Sequence, residues 1–316
     1  MINNGFFTKI LVLLLLFLFG CSAKNDLKQD ADGYNYSEKQ KKTVRPKLDL
    51  LEELYDNMDY DRVINKYADK VPASMSISRF KYYVVFSELD ENTTYNLIDK
   101  DIRHTVDAMS SNYVSVLPDS VTPVFLFKEY DSYKDFAVQT FGLDEKDLSP
   151  FGFYKISKNI IVIRYVSWKG STAHEITHSL IQYDFPDIPS WFNEGLAALH
   201  EKYVYENGQM KGDFNWRIVA LRRAFKENNY TYLKELMQTN DDKFYNTRTS
   251  FYYAQARFLL MYIQSKGLLD DYYKLFRSTY DEDESGITQL EKTLNKPLAD
   301  IDKEFVEYVK SFTQEW

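Results

Sequence analysis

Two of the chain's four histidines, His174 and His178, stand four residues apart, with Glu175 beside the first. Nothing else in the 316 residues constrains the fold as strongly. On an α-helix, positions i and i+4 share a face, so both imidazoles can reach one point in space. Ala173, Ile176, Leu180 and Ile181 around them supply apolar packing that would bury such a helix. An imidazole pair at this spacing can hold zinc, and Glu175 can approach a water on the metal from the side. The competing reading is a surface helix without a metal. It loses ground because two of only four histidines occupy this spacing.

A zinc centre that does chemistry takes three protein ligands and keeps one position open. After His178 the chain runs Ser179-Leu180-Ile181-Gln182-Tyr183-Asp184, and the next histidine is His200. The third ligand must come from elsewhere. Pro189-Ser190-Trp191-Phe192-Asn193-Glu194-Gly195-Leu196-Ala197 offers Glu194 in the first turns of a helix, after a loop bent by Pro186 and Pro189. Ser190 is the expected N-cap. Glu201 and His200 are the alternatives should Glu194 not be the ligand. Zn2+ is therefore the expected cofactor.

The N-terminus reads as a targeting segment rather than as part of the fold. Lys9 is the only charge in the first 20 residues, and an apolar run over 10–19 is too short for a comfortable membrane span. It ends in Leu18-Phe19-Gly20-Cys21 and looks like a bacterial lipoprotein signal over 1–20, with Cys21 as the acylated residue. Phe19 is bulkier than that pattern usually has. An ordinary signal peptide and an uncleaved anchor are the competing readings. Cys21 is the only cysteine, so no intramolecular disulfide can form. The expected location is the bacterial cell envelope, lipid-anchored and extracytoplasmic, with the membrane as a partner through the anchor.

Residues 21–47 are polar and charged, and read as a flexible linker. A metallopeptidase-like core with N-terminal helices is expected over 48–205, and a helical C-terminal lobe over 206–316. Helical spacing over 48–71 breaks near Asp59, and further helices are expected over 95–109 and 132–140. Strands are expected over 80–86 and 121–127, the second with Pro123 at an edge or a start. A hairpin over 151–156 and 160–166 should turn at Lys158-Asn159. From Ser171 onward only helices are expected, near 171–183, 190–205, 215–227, 231–238, 250–266, 268–281, 286–294 and 297–314. This order predicts an α+β fold: a small mixed core that carries the histidine helix, followed by an all-helical lobe. A net charge of −8 argues against nucleic acid as a partner. The 26 Tyr and 22 Phe are read mainly as packing, with a sugar or peptide groove as the minor reading.

His174-Glu175-Ile176-Thr177-His178 followed by Trp191-x-Asn193-Glu194-Gly195-x-Ala197 resembles the gluzincins, in particular the peptidase MA-like group, over about 80–205. The resemblance implies a zinc metallopeptidase whose metal ligands are His174, His178 and Glu194 and whose catalytic carboxylate is Glu175. Phe251-Tyr252-Tyr253-Ala254-Gln255-Ala256 looks like the helix that often follows in this group. The resemblance then implies Tyr253 as oxyanion stabiliser, with Tyr252 close behind. Thermolysin-like members carry an acidic residue four positions after the ligand Glu, where this chain has Ala198. Support for a metal histidine must come from Asp184, Asp187, Asn193 or Glu201. His200 and His104 read as structural.

The implied reaction is hydrolysis of peptide bonds in a peptide or protein substrate, with Glu175 as proton acceptor and donor. The edge strand before the motif helix would pair with an extended substrate, as in gluzincins. The first alternative is an inactive lipoprotein that keeps the fold and acts as a binding or scaffold protein. The second is a helical adaptor built from 206–316.

Overall fold

The computed structural model describes residues 53–316. The expected signal at 1–20, the acylated Cys21, the linker 21–47 and the start of the helix over 48–71 lie outside the described residues. Helix α1 (Tyr60–Tyr67) follows Asp59, whose side chain accepts the Arg62 N–H, so the break expected near Asp59 is a helix start.

Five strands form one mixed sheet. They are β1 (Ser76–Phe80), β2 (Tyr83–Ser87), β3 (Thr122–Phe127), β4 (Gly152–Lys155) and β5 (Ile160–Arg164), in the order β1-β2-β3-β5-β4. β2, β3 and β5 run parallel, and β1 and β4 are antiparallel edges. Every residue of β2 and β3 is buried, as parallel strands covered on both faces require. β3 is the middle strand, and Pro123 is its second residue, where the start-of-strand expectation placed it.

The side-chain alternation of the strands divides the core. Val84, Phe86, Phe125, Phe127 and Val162 face α1 and α4 (Tyr130–Phe141), while Tyr83, Val85, Val124, Leu126 and Ile161 face the other helices. On that second side, α2 (Glu91–Asn96) runs through a π-helical turn (Leu97–Ile102) into α3 (Arg103–Asn112). Beside α3 lies α5 (Ser171–Asp184), which carries both motif histidines.

Helix α6 (Ser190–Leu199) ends earlier than expected. The chain then forms a two-stranded hairpin, β6 (Tyr203–Glu206) and β7 (Gln209–Gly212), turning at Asn207-Gly208, both with positive φ. The expectation of helices alone after Ser171 is corrected here. An Asn-Gly pair between two short runs is the sequence signal of such a turn. The boundary expected between 205 and 206 falls inside this hairpin.

From Ile218 every element is helical: α7 (Ile218–Lys226), α8 (Leu233–Met237), α9 (Asp241–Asn246), α10 (Thr249–Ser265), α11 (Leu269–Ser278), α12 (Ile287–Leu294) and α13 (Leu298–Ser311), with one 310 turn at Tyr280–Glu282. The fold is thus α+β, and one apolar cluster runs from the sheet through α5 and α6 into α10 and α11. Among the described residues no helix is long and apolar enough to cross a membrane.

Candidate metal centre

Helix α5 starts from Gly170, in the left-handed region at φ +66°. A Cβ there would stand 1.9 Å from the Glu201 carbonyl oxygen, so only glycine lets the α5 start pass the end of α6 so closely. The helix is buried on nearly every side. His174 and His178 project from it one turn apart, with Nε2 atoms 3.1 Å from each other.

Helix α6 brings the third group. It packs along α10, where Gly195 meets Ala256, and a Cβ at Gly195 would already crowd the Ala256 backbone at 3.2 Å. Ser190 is not the N-cap: Pro189 holds that place, and the Ser190 hydroxyl donates to Asp241 Oδ1 at 2.5 Å, tying α6 to α9. Glu194 is 1 % exposed. Its Oε2 lies 3.3 Å from His174 Nε2 and 3.5 Å from His178 Nε2. Nitrogen and oxygen ligands at zinc-like bond lengths on a tetrahedron sit roughly 3.4 Å apart. The three donor atoms match the edges of such a figure.

The hydrogen bonds around these atoms set their lone pairs. Asn193 Oδ1 accepts the His178 Nδ1–H at 2.9 Å, which leaves the His178 Nε2 lone pair facing its neighbours. Glu201 Oε1 stands 3.3 Å from His174 Nδ1, off the axis of a regular hydrogen bond, and favours a proton on that nitrogen too. Tyr245 donates its hydroxyl to Glu194 Oε1 at 2.9 Å. Glu194 Oε2 is buried and accepts no hydrogen bond. Two bare imidazole nitrogens and an orphaned carboxylate oxygen converging on one point repel one another unless a cation or a proton lies between them. The donor set and its geometry fit a divalent metal.

Without a metal, the carboxylates draw a proton to this point instead. Burial alone would push the His174 pKa down, but Glu194 and Glu201 outweigh burial and hold it up at about 10. Burial opposes ionisation of Glu194, yet His178 and His174 keep its carboxyl well below the usual range. Glu201 resists burial in the same way through Arg217, which donates to both of its oxygens, and sits at about 2. His174, His178 and Glu194 therefore form a buried group that could hold a metal ion.

The remaining expected residues divide into two sets. Glu175 is 3 % exposed and lines the same cavity as His174. Tyr253, on α10, lines that cavity too, with the Arg217 guanidinium 4.7 Å from its ring centre. Tyr252 turns away, and its hydroxyl donates to Glu235. Of the supports considered for a metal histidine, Asn193 and Glu201 reach the rings. Asp184 instead accepts the Ser115 and Val116 N–H groups and pairs with Arg277, and Asp187 is exposed. Glu201 lies just beyond the end of α6 rather than on its face.

His200 is fully buried and is not a member of the donor group. The Thr177 hydroxyl donates to Ala173 O, so it accepts from His200 Nδ1–H at 2.8 Å. Burial holds the His200 pKa down at about 3, with His174 and Arg257 adding to the effect. His104 stacks on Tyr205 of the hairpin at 3.8 Å and meets the Tyr203 hydroxyl. Both act in packing.

Three supporting residues have no counterpart in the sequence reading: Tyr245, Arg217 and Arg257. The Arg257 side chain is fully buried and donates to the carbonyls of Ala198, Lys202 and Asp213, which fixes the chain on both sides of Glu201. No protein-family model matches this chain, and no curated protein matches it in sequence.

Proposed function

We propose that this chain is a zinc-dependent metallopeptidase of the gluzincin type, tethered through a lipid on Cys21 and acting outside the cytoplasm. The observation that carries the reading is the set of three donor atoms 3.1, 3.3 and 3.5 Å apart, with Glu175 next to His174 on the wall of the same cavity. Zinc bound there would lower the pKa of a water and polarise a peptide carbonyl.

The chain's own groups supply the rest. Glu175 takes the proton of the attacking water on its carboxylate and passes it to the departing amine. Tyr253, with its phenol on the cavity wall, donates a hydrogen bond to the oxygen that gains charge. Asn193 and Glu201 hold the two imidazoles, and Tyr245 holds Glu194, so the ligands do not reorganise during the reaction. Strand β4 is an antiparallel edge beside α5, and Phe151, just before it, lines the cavity. An extended peptide pairing with that edge would run past His174 and Glu175.

A closed structural zinc site would need a fourth Cys or His, and His200 is directed to Thr177. The open position and the carboxylate at its side favour catalysis over a scaffold. The test is hydrolysis of a mixed peptide digest by the metal-loaded full chain and by its Glu175→Gln variant, followed by mass spectrometry. The expected result is cleavage by the parent, and an unchanged metal content without cleavage in the variant. Equal cleavage by both would remove Glu175 from the mechanism.

A further inference from the structure

The cavity that opens from His174 and Glu175 has a volume of about 490 Å3 and runs along α7 to the first turn of α10. Besides Arg217 its walls carry three cations, Arg223 on α7, Arg248 just before α10 and Lys169 nearer Glu201, and Glu227 is the one lining carboxylate apart from Glu175 and Glu201. Glu201 also faces it, but both of its oxygens are taken by Arg217. Among the described residues no salt bridge joins these three side chains to a carboxylate, although the Lys169 ammonium feels Glu201, which pairs with Arg217. The Lys169 ammonium instead sits 4.2, 4.5 and 4.6 Å from the ring centres of Trp168, Phe151 and Trp216. Arg248 lies 4.0 Å over Phe251 and donates to the Asn229 carbonyl. Glu235, the carboxylate that senses Arg248, is already bound by Lys243 and Tyr252. Arg223 is exposed on α7.

Such a concentration of unpaired cations is unexpected in a chain of net charge −8, where carboxylates are in excess. Walls of low dielectric focus the potential of these groups into the cavity. Arginine forks match carboxylates in a bidentate geometry.

We propose that this cavity binds a carboxylate of the peptide substrate, held by Arg223 and Arg248. That carboxylate is an Asp or Glu side chain, or the substrate's own C-terminus. The proposal rests on the peptidase reading and gives it a substrate class. Burial, reinforced by Arg217 and partly offset by Glu201, pushes the Lys169 pKa down to about 8.

The experiment uses the zinc-loaded full chain with Glu175→Gln and fluorescein-labelled peptides identical but for Glu or Gln at each position. Each peptide is made with a free or an amidated C-terminus, and binding is read by anisotropy. One form with a carboxylate should bind about tenfold or more tightly than its neutral match at low salt. Whether the Glu/Gln pair or the acid/amide pair carries the preference identifies the source. Arg223→Ala with Arg248→Ala should reduce the preference to parity, and the two Lys replacements should keep part of it. Equal binding of charged and neutral peptides overturns the proposal. If acidic peptides bind preferentially and the chain with Glu175 intact cleaves none of them, the carboxylate site stands and the peptidase reading falls. If it cleaves charged and neutral peptides alike, the peptidase reading stands and the carboxylate site falls. Binding of neither class overturns both.

Discussion

Asn193 accepts the Nδ1 proton of His178 at 2.9 Å, one residue before the carboxylate that faces the same imidazole from its other nitrogen. A single turn of α6 thus supplies both a donor atom of the buried group and the side chain that orients its neighbour. Asn193→Ala should weaken zinc binding by about 10- to 100-fold, as loss of such a support does elsewhere. Asn193→Asp keeps an acceptor and should bind near the parent level. Chelator competition measures both, and parental affinity in Asn193→Ala would show that His178 needs no support.

Gly170 holds the α5 start against the Glu201 carbonyl. Gly170→Ala places a side chain at positive φ, which costs about 1–2 kcal/mol before any clash. The clash then moves Glu201 away from His174. Urea unfolding should show the loss of stability, and metal affinity should fall with it. A variant with an unchanged unfolding midpoint would mean that the two segments stand further apart than described.

The role given to Tyr253 is separable from metal binding. Tyr253→Phe removes the donor and keeps the ring under Arg217. Its kcat should drop by about 100-fold at the parent's zinc content, with KM little changed. A variant with parental kcat would assign the oxyanion contact to another group.

His200 gives a pH dependence with a defined sign. Its folded pKa lies near 3 against an ordinary 6.5, because burial disfavours the charged ring. Between those values the unfolded chain binds the extra proton. Stability from this residue is therefore complete above pH 6.5 and is lost as the pH falls toward 3, at about 1.4 kcal/mol per pH unit. Urea midpoints of metal-stripped parent and His200→Gln, taken from pH 7 to 4, should converge as the pH drops. Parallel curves would mean that His200 is charged in the fold.

The motif histidines were legible because their relation is local: four residues on a helix fix their common face. Glu194 was legible for a similar reason, since a short loop and a helix start bring it back within reach. The parallel strands announced themselves as apolar runs. The supports were not legible, because Tyr245 reaches Glu194 across 51 residues and Arg257 reaches Ala198 across 59. Such contacts depend on how α9 and α10 dock, and helix periodicity does not encode docking. Tyr245 also rides on α9, a helix the periodicity did not reveal, although the Asn240 side chain capping Lys243 N–H is a local start signal. The hairpin at 203–212 is faint in the sequence for a different reason. Its alternation spans four residues per strand, too few to compete with the helical pattern before it, and only Asn207-Gly208 marks it.

One catalytic zinc held by His174, His178 and Glu194 should be visible in the metal content of the purified full chain in detergent, read beside its Glu194→Ala variant by mass spectrometry of the digested protein. The parent should carry about one zinc per chain and the variant should lose most of it. A parent that takes up no zinc even after reconstitution, or a variant that keeps it, would mean that these three residues are not the ligands of a catalytic zinc.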